Sequence, residues 1–256
     1  MVRKLPLILL FLVSMLGAEE KTPDVGVDEK LGNVINLDLK FRDEAGQEVP
    51  LRTFFTGKTV ILAPAYYECP RLCTFVYNAL KKVMQASRSK GIEPGKDYVV
   101  ISVSFNPEDT SELASKKGGM YRRTFERPLS PGSWTFLTGT QENISSLFDS
   151  IGYRYKADGS DFSHPAAIVL FTPEGRISRY LYGLEHNEES FRLSLVETSQ
   201  GLIGGVSEKI VLLCFRFDPS KGKYTPYVMG FVRIASVLLV LSIGGLIFFL
   251  RKKERT

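Results

Sequence analysis

Two cysteines four positions apart, Cys69 and Cys73, carry the chemistry most easily read from this chain. They lie in Tyr67-Glu68-Cys69-Pro70-Arg71-Leu72-Cys73, between an apolar run and a segment of helical periodicity. A helix N-terminus presents free N–H groups and partial positive charge, which favour thiolates over thiols. Arg71, between the two sulfurs, adds positive charge. One helical turn of spacing puts the two Cα atoms about 6 Å apart on one face. That separation suits a disulfide. It equally suits two thiolates on one soft metal ion. A plain structural disulfide is the competing reading for an oxidising compartment. So small a closed loop removes little chain entropy, which weighs against it.

A third candidate is His164, in Asp161-Phe162-Ser163-His164-Pro165, directly before a predicted strand. If that strand pairs beside the one that leads to the cysteines, the loop faces their corner. Two thiolates and an imidazole suit Cu(I), and the imidazole makes Cu(II) accessible. Structural zinc wants four ligands, and only three are visible. Without such company a histidine is a hydrogen-bonded surface residue. His186, in Gly183-Leu184-Glu185-His186-Asn187, reads as a solvated loop residue. Cys214, in Ile210-Val211-Leu212-Leu213-Cys214-Phe215, has no nearby partner and reads as a buried structural thiol.

The elements that must position these residues follow from hydrophobic patterning. Thr59-Val60-Ile61-Leu62-Ala63 reads as a buried strand. Val76, Leu80, Val83 and Met84 recur at helical spacing within 69–90, and Gly91 suits the stop. A second strand is predicted over 97–105. Asn106-Pro107 then opens a helix, with Asn as cap, running to Phe125 unless Gly118-Gly119 breaks it. Trp134–Leu137 reads as a short strand, and Thr140 caps a helix through Ile151. Ala166–Phe171 and Arg176–Tyr182 form a hairpin around Pro173-Glu174-Gly175. A last helix spans 188–200. This order predicts an α/β, thioredoxin-like fold with parallel and antiparallel strands in one sheet.

The ends of the chain speak to location. Arg3 and Lys4 precede an apolar run of about 12 residues and then Gly17-Ala18, the pattern of a signal peptide over 1–18. Residues 19–30 read as a linker, 31–205 as the domain and 206–227 as a juxtamembrane segment. Residues 228–250 hold about 22 mostly apolar positions, enough for one transmembrane helix. Arg251, Lys252, Lys253 and Arg255 follow, so the tail 251–256 is expected in the cytoplasm and the domain outside it. The chain of 256 residues has 33 Lys and Arg against 28 Asp and Glu, with no basic patch interleaved with aromatics, so nucleic-acid binding has little support. With three cysteines and two histidines, any metal or thiol chemistry must use very few residues.

Several segments, in order, resemble the SCO/SenC family, named for synthesis of cytochrome c oxidase. Cys69-Pro70-Arg71-Leu72-Cys73 is similar to its CxxxC motif. Ser102-Val103-Ser104-Phe105-Asn106-Pro107-Glu108-Asp109-Thr110 resembles its S-V-D-P-x-x-D-T segment. Trp134–Gly139 resembles its W-x-x-L-T-G, and His164 stands before a similar strand and turn, Ala167–Gly175. The resemblance implies a thioredoxin-like fold, copper as cargo, and Cys69, Cys73 and His164 as its ligands. It also implies a periplasmic or otherwise extracytoplasmic role at the CuA-bearing subunit of cytochrome c oxidase, through copper delivery or thiol reduction. Thiol–disulfide reductants would then be further partners. The sequence departs from the family in Arg71, where an acidic residue is usual, in Thr74, where proline is usual, and in its C-terminal span. The alternative function is a thiol–disulfide oxidoreductase or peroxide-handling enzyme, with Cys69 and Cys73 as the redox-active pair and no copper.

Overall fold

The computed structural model describes residues 24–69, 72–159 and 161–204, two short strands near the C-terminus, and helical positions at 236, 238–239 and 241–244. The described part begins with an arm, β1 (Gly26–Val27), and a hairpin, β2 (Lys40–Arg42) and β3 (Glu48–Pro50). After a 3-10 turn over Leu51–Phe54 come β4 (Thr59–Ala65), α1 (Leu72–Ser89), β5 (Tyr98–Ser104) and α2 (Ser111–Arg123). Then follow β6 (Trp134–Leu137), α3 (Gln141–Ser150), β7 (Tyr153–Arg154) and a small hairpin, β8 (Lys156–Asp158) and β9 (Asp161–Ser163). The domain ends with β10 (Ala167–Phe171), β11 (Ile177–Tyr182) and α4 (Glu188–Ser199). A separate pair, β12 (Phe215–Asp218) and β13 (Lys223–Pro226), lies beyond it.

The main sheet has the order β11-β10-β4-β5-β6. β4, β5 and β6 run parallel, whereas β10 is antiparallel to both β4 and β11. This is the predicted thioredoxin-like α/β arrangement with a mixed sheet. All seven residues of β4 and all seven of β5 are buried, so both faces of the sheet centre are covered. That is why these strands read as unbroken apolar runs rather than alternating ones. α1 buries Val76, Leu80, Val83 and Met84, the positions its periodicity marked, and packs against α4.

The edge strand β6 is closed by side chains. The Phe136 N–H donates to Glu44 Oε1 at 3.1 Å, and Arg122 Nη1 donates to the Trp134 carbonyl at 2.9 Å. Glu44 and Arg122 also pair with each other at 2.7 Å. The free backbone groups of an edge that would otherwise recruit another strand are thereby occupied. Gly118 permits this arrangement, because a Cβ there would stand 2.3 Å from Glu44 Oε1 and 2.8 Å from the Phe136 ring. The glycine pair therefore lies inside α2 and does not break it.

Three expectations need correction. Asn106 is not the cap of α2; its Oδ1 accepts from the Glu108 N–H in a local turn, and Thr110 caps the helix by accepting from the Leu113 N–H. α1 is described from Leu72, and Cys69 itself is not helical, so it does not lie in a first turn shared with Cys73. The predicted linker 19–30 is structured in its second half, where Gly26 and Val27 pair with Arg154 and Tyr153 of β7. Among the described residues no helix is long and apolar enough to cross a membrane. The predicted signal peptide, Cys214, most of the span over 228–250 and the tail 251–256 lie outside the described residues.

The arm docks closely on Gly152. The Asp28 N–H donates to the Gly152 carbonyl at 2.8 Å, Gly152 has φ +63°, and a Cβ there would meet the Asp28 oxygen at 1.9 Å. Gly152→Ala is therefore expected to lower the unfolding free energy by about 1–3 kcal/mol. Limited proteolysis should then cut the arm before the domain. An unchanged denaturant midpoint would show that the arm does not hold this position.

Candidate metal centre

Strand polarity brings the three candidate ligands together. β4 ends at Ala65 and feeds the turn Tyr66–Cys69, closed by the Cys69 N–H donating to the Tyr66 carbonyl at 3.3 Å. β10 runs the other way, so the residues just before it, including His164, stand at the same end of the sheet. The β4–β10 ladder ends at Leu62 and Val169, two residues before Pro64, which has no N–H to contribute.

Cys69 Sγ, Cys73 Sγ and one ring nitrogen of His164 all lie within 4.8 Å of one another. Cys69 and Cys73 are not joined in a disulfide. Cys73 Sγ is 3.4 Å from His164 Nε2, and the Cys73 N–H donates to Cys69 Sγ at 3.3 Å. The cluster is sequestered, with Cys73 at 0% exposure and Cys69 and His164 each at 7%. Its walls are aromatic. The His164 ring lies 5.1 Å from that of Phe105 and edge-on to that of Tyr66 at 6.2 Å. Phe105 in turn stacks on Tyr155 at 4.6 Å and meets Phe162 at 5.5 Å. Tyr66 hydrogen-bonds to Asp161 of β9, tying the small hairpin to the cysteine turn.

Burial decides the electrostatics. Helix position alone predicted stabilised thiolates, but burial and the neighbouring Cys69 push the Cys73 thiol well above its usual range. That shift favours the neutral thiol at Cys73. A cation seated among the three side chains supplies the compensation that water supplies elsewhere. Asp109 supports the turn from below. It accepts the Tyr67 N–H at 2.7 Å and the Ser104 hydroxyl at 2.6 Å, and desolvation raises its pKa. The sequence marked Asp109 only as part of a resemblance; its role in holding the cysteine turn emerges from the fold.

The other candidates stand apart. Arg71 and Cys214 lie outside the described residues. His186 is not a solvated loop residue: its Nε2 is sequestered without a hydrogen-bond partner among the described residues, and burial lowers its pKa. A groove of 660 Å³ beside β6, lined by Glu44, Arg122, Phe125 and Trp134 among others, shares no residue with the cysteine–histidine cluster.

The SCO1/SenC family model matches residues 28–195. The chain therefore belongs to the SCO1/SenC family. It is 31% identical to a putative electron transfer protein from Aquifex aeolicus VF5, over 68% of this chain and 96% of that one, with a TM-score of 0.59. Arabidopsis thaliana ScoI with copper bound is 20% identical over 64% of this chain and 96% of its own, with a TM-score of 0.51. BsSco, described as having a disulfide switch and as a member of the Sco family of cytochrome c oxidase assembly proteins, is 20% identical over 68% of this chain and 98% of its own, at a TM-score of 0.51. These last two similarities speak to the fold. No curated protein matches the chain.

The depressed pKa of His186 has a consequence for stability. The folded state binds a proton there less readily than the unfolded chain, whose histidine titrates near about 6.5. Acidification through that value towards the lower folded pKa should therefore cost stability, and the loss stops below the folded value. Denaturant titrations between about pH 7 and pH 5 should show a shallower acid decline for His186→Gln than for wild type. Equal slopes would place His186 in contact with water.

Proposed function

We propose that this chain is a membrane-tethered, extracytoplasmic copper-binding protein that assists assembly of the CuA centre of cytochrome c oxidase, with Cys69, Cys73 and His164 as the copper ligands. One observation carries the proposal: three soft-to-borderline donor atoms converge within 4.8 Å in a buried aromatic pocket. The donor set fits copper. Two sulfurs satisfy Cu(I), and the imidazole nitrogen adds what Cu(II) prefers. The membership in a family whose solved members include a copper-bound ScoI supports the cargo. The description of BsSco's family as oxidase assembly proteins supports the destination.

The pocket does its work through its own side chains. Cys73 releases its proton as the metal takes its place, so uptake is coupled to proton release. The aromatic walls keep water from the sulfurs. Closing the Cys69–Cys73 disulfide leaves no thiolate, so reduction by an external thiol must precede loading. The same pair of reduced thiols supports a second reading, thiol reduction of the partner's cysteines, and that reading does not need His164.

The reduced full-length chain should bind one copper ion. Cys73→Ala should abolish the thiolate-to-Cu(II) absorption band. His164→Ala should weaken Cu(II) by at least about tenfold while leaving Cu(I) nearly unchanged. Copper stoichiometry, the absorption band and competition titrations read these outcomes. An unaltered band and Cu(II) affinity in His164→Ala would remove His164 from the ligand set and favour the thiol-reducing function.

Two features support the tether. The tail after residue 250 is strongly basic, and the helical residues described within the apolar stretch expose Leu238, Leu239, Leu241 and Ile243. A cytoplasm-active reporter fused after Thr256 should be active, and one fused near Leu202 should not. The opposite pattern would reverse the topology.

A further inference from the structure

The imidazole of His164 is held from behind as well as offered in front. While Nε2 faces Cys73 Sγ at 3.4 Å, Nδ1 lies 3.1 Å from Tyr153 Oη and 3.1 Å from the Pro165 carbonyl. Tyr153 donates its own hydroxyl proton to that carbonyl at 2.7 Å. A phenol has only one proton to give. With it committed to Pro165, the Tyr153 oxygen can only accept, and its partner is then an Nδ1–H. The proton on Nδ1 leaves the lone pair on Nε2, facing the sulfurs.

Tyr153 has little freedom to do anything else. It is 2% exposed, and its ring packs against those of Phe148 and Phe105. Its strand is paired with the N-terminal arm, where Val27 opposes Tyr153 and Asp28 pairs with Arg154. A phenylalanine would fill nearly the same volume, so packing alone does not call for the hydroxyl.

We propose that Tyr153 is a positioning residue for the metal centre: its hydroxyl holds His164 in the Nδ1–H tautomer and aims Nε2 at the space between the two sulfurs. In this role the arm formed by β1 is part of the frame of the site. The proposal rests on the copper-site reading for its purpose, but its first readout needs no metal.

The test uses the reduced, metal-free full-length chain labelled with ¹⁵N in its two histidines, with His186→Gln assigning the signals. Long-range ¹H–¹⁵N spectra of the wild type should show His164 with its proton on Nδ1 alone. In Tyr153→Phe Nδ1–H loses one of its two acceptors and keeps the Pro165 carbonyl, so the share of the Nε2–H tautomer should rise measurably above wild type. Titrations should show Cu(II) affinity reduced about tenfold in Tyr153→Phe, as for other groups that orient a ligating histidine. Cu(I) affinity should stay at the wild-type value. A wild-type His164 protonated on Nε2 overturns the proposal without any variant. So does a folded Tyr153→Phe that keeps both the single tautomer and the wild-type Cu(II) affinity. If the tautomer shifts as expected but the wild type takes up no copper, the positioning role stands and the copper function falls.

Discussion

The antiparallel pairing of β10 with β4 is the constraint on which the metal centre depends. His164 and Cys73 are 91 residues apart in sequence, and no local interaction joins them. The register that sets Val169 against Leu62 and Phe171 against Val60 decides which end of β10 meets the cysteine turn. A one-residue slip would turn every side chain of β10 to the other face of the sheet. That slip is resisted by burial, since all five residues of β10 are buried, as are the β4 residues opposite them. The hydrophobic core thus fixes the position of the site, and Cys69 and Cys73 are themselves part of that core.

The second constraint is electrostatic. Burial in a pocket walled by Phe105, Tyr66, Tyr155 and Phe162 favours the neutral form of the Cys73 thiol. A surface CxxxC pair would be solvated and open to any oxidant. Here burial keeps the Cys73 thiol protonated until something positive arrives. The desolvation that disfavours an isolated thiolate also strengthens its attraction for a cation, because both follow from the same low local dielectric.

The sequence disclosed those parts of the fold whose signal is local. Continuous apolar runs located β4, β5 and β10, and 3.6-residue periodicity located α1. Thr140 was legible as a cap because its side chain serves its own helix, accepting from the Asn143 N–H. Asn106 misled for the same kind of reason: Asn before Pro suits a helix start, yet here its side chain closes a turn and the cap falls four residues later on Thr110. β1, β7, β8 and β9 were missed because each is two or three residues long and is defined by its partner rather than its own pattern. The three candidate ligands could be picked out from their residue types and spacing. The direction of the Cys73 shift could not, because helix position argues for a thiolate and only the tertiary packing shows that burial outweighs it.

The two chemistries open to this pocket place different demands on it. Thiol exchange requires one sulfur to be reached in line by an attacking thiolate. Cys73 is fully buried against the imidazole and Cys69, on the turn before α1, is 7% exposed, so of the two sulfurs Cys69 is the nearer to an attacking group. In either proposed chemistry Cys73 would act second, as the resolving thiol or the last ligand to let go. Copper transfer by ligand exchange follows the same order, since an incoming ligand can displace the sulfur on the turn before the one in the helix. The geometry therefore gives both reactions one entrance. His164 bears on both. Its Nε2 faces Cys73 Sγ within an aromatic wall, where it would give a metal its third donor and a thiol its hydrogen-bond partner.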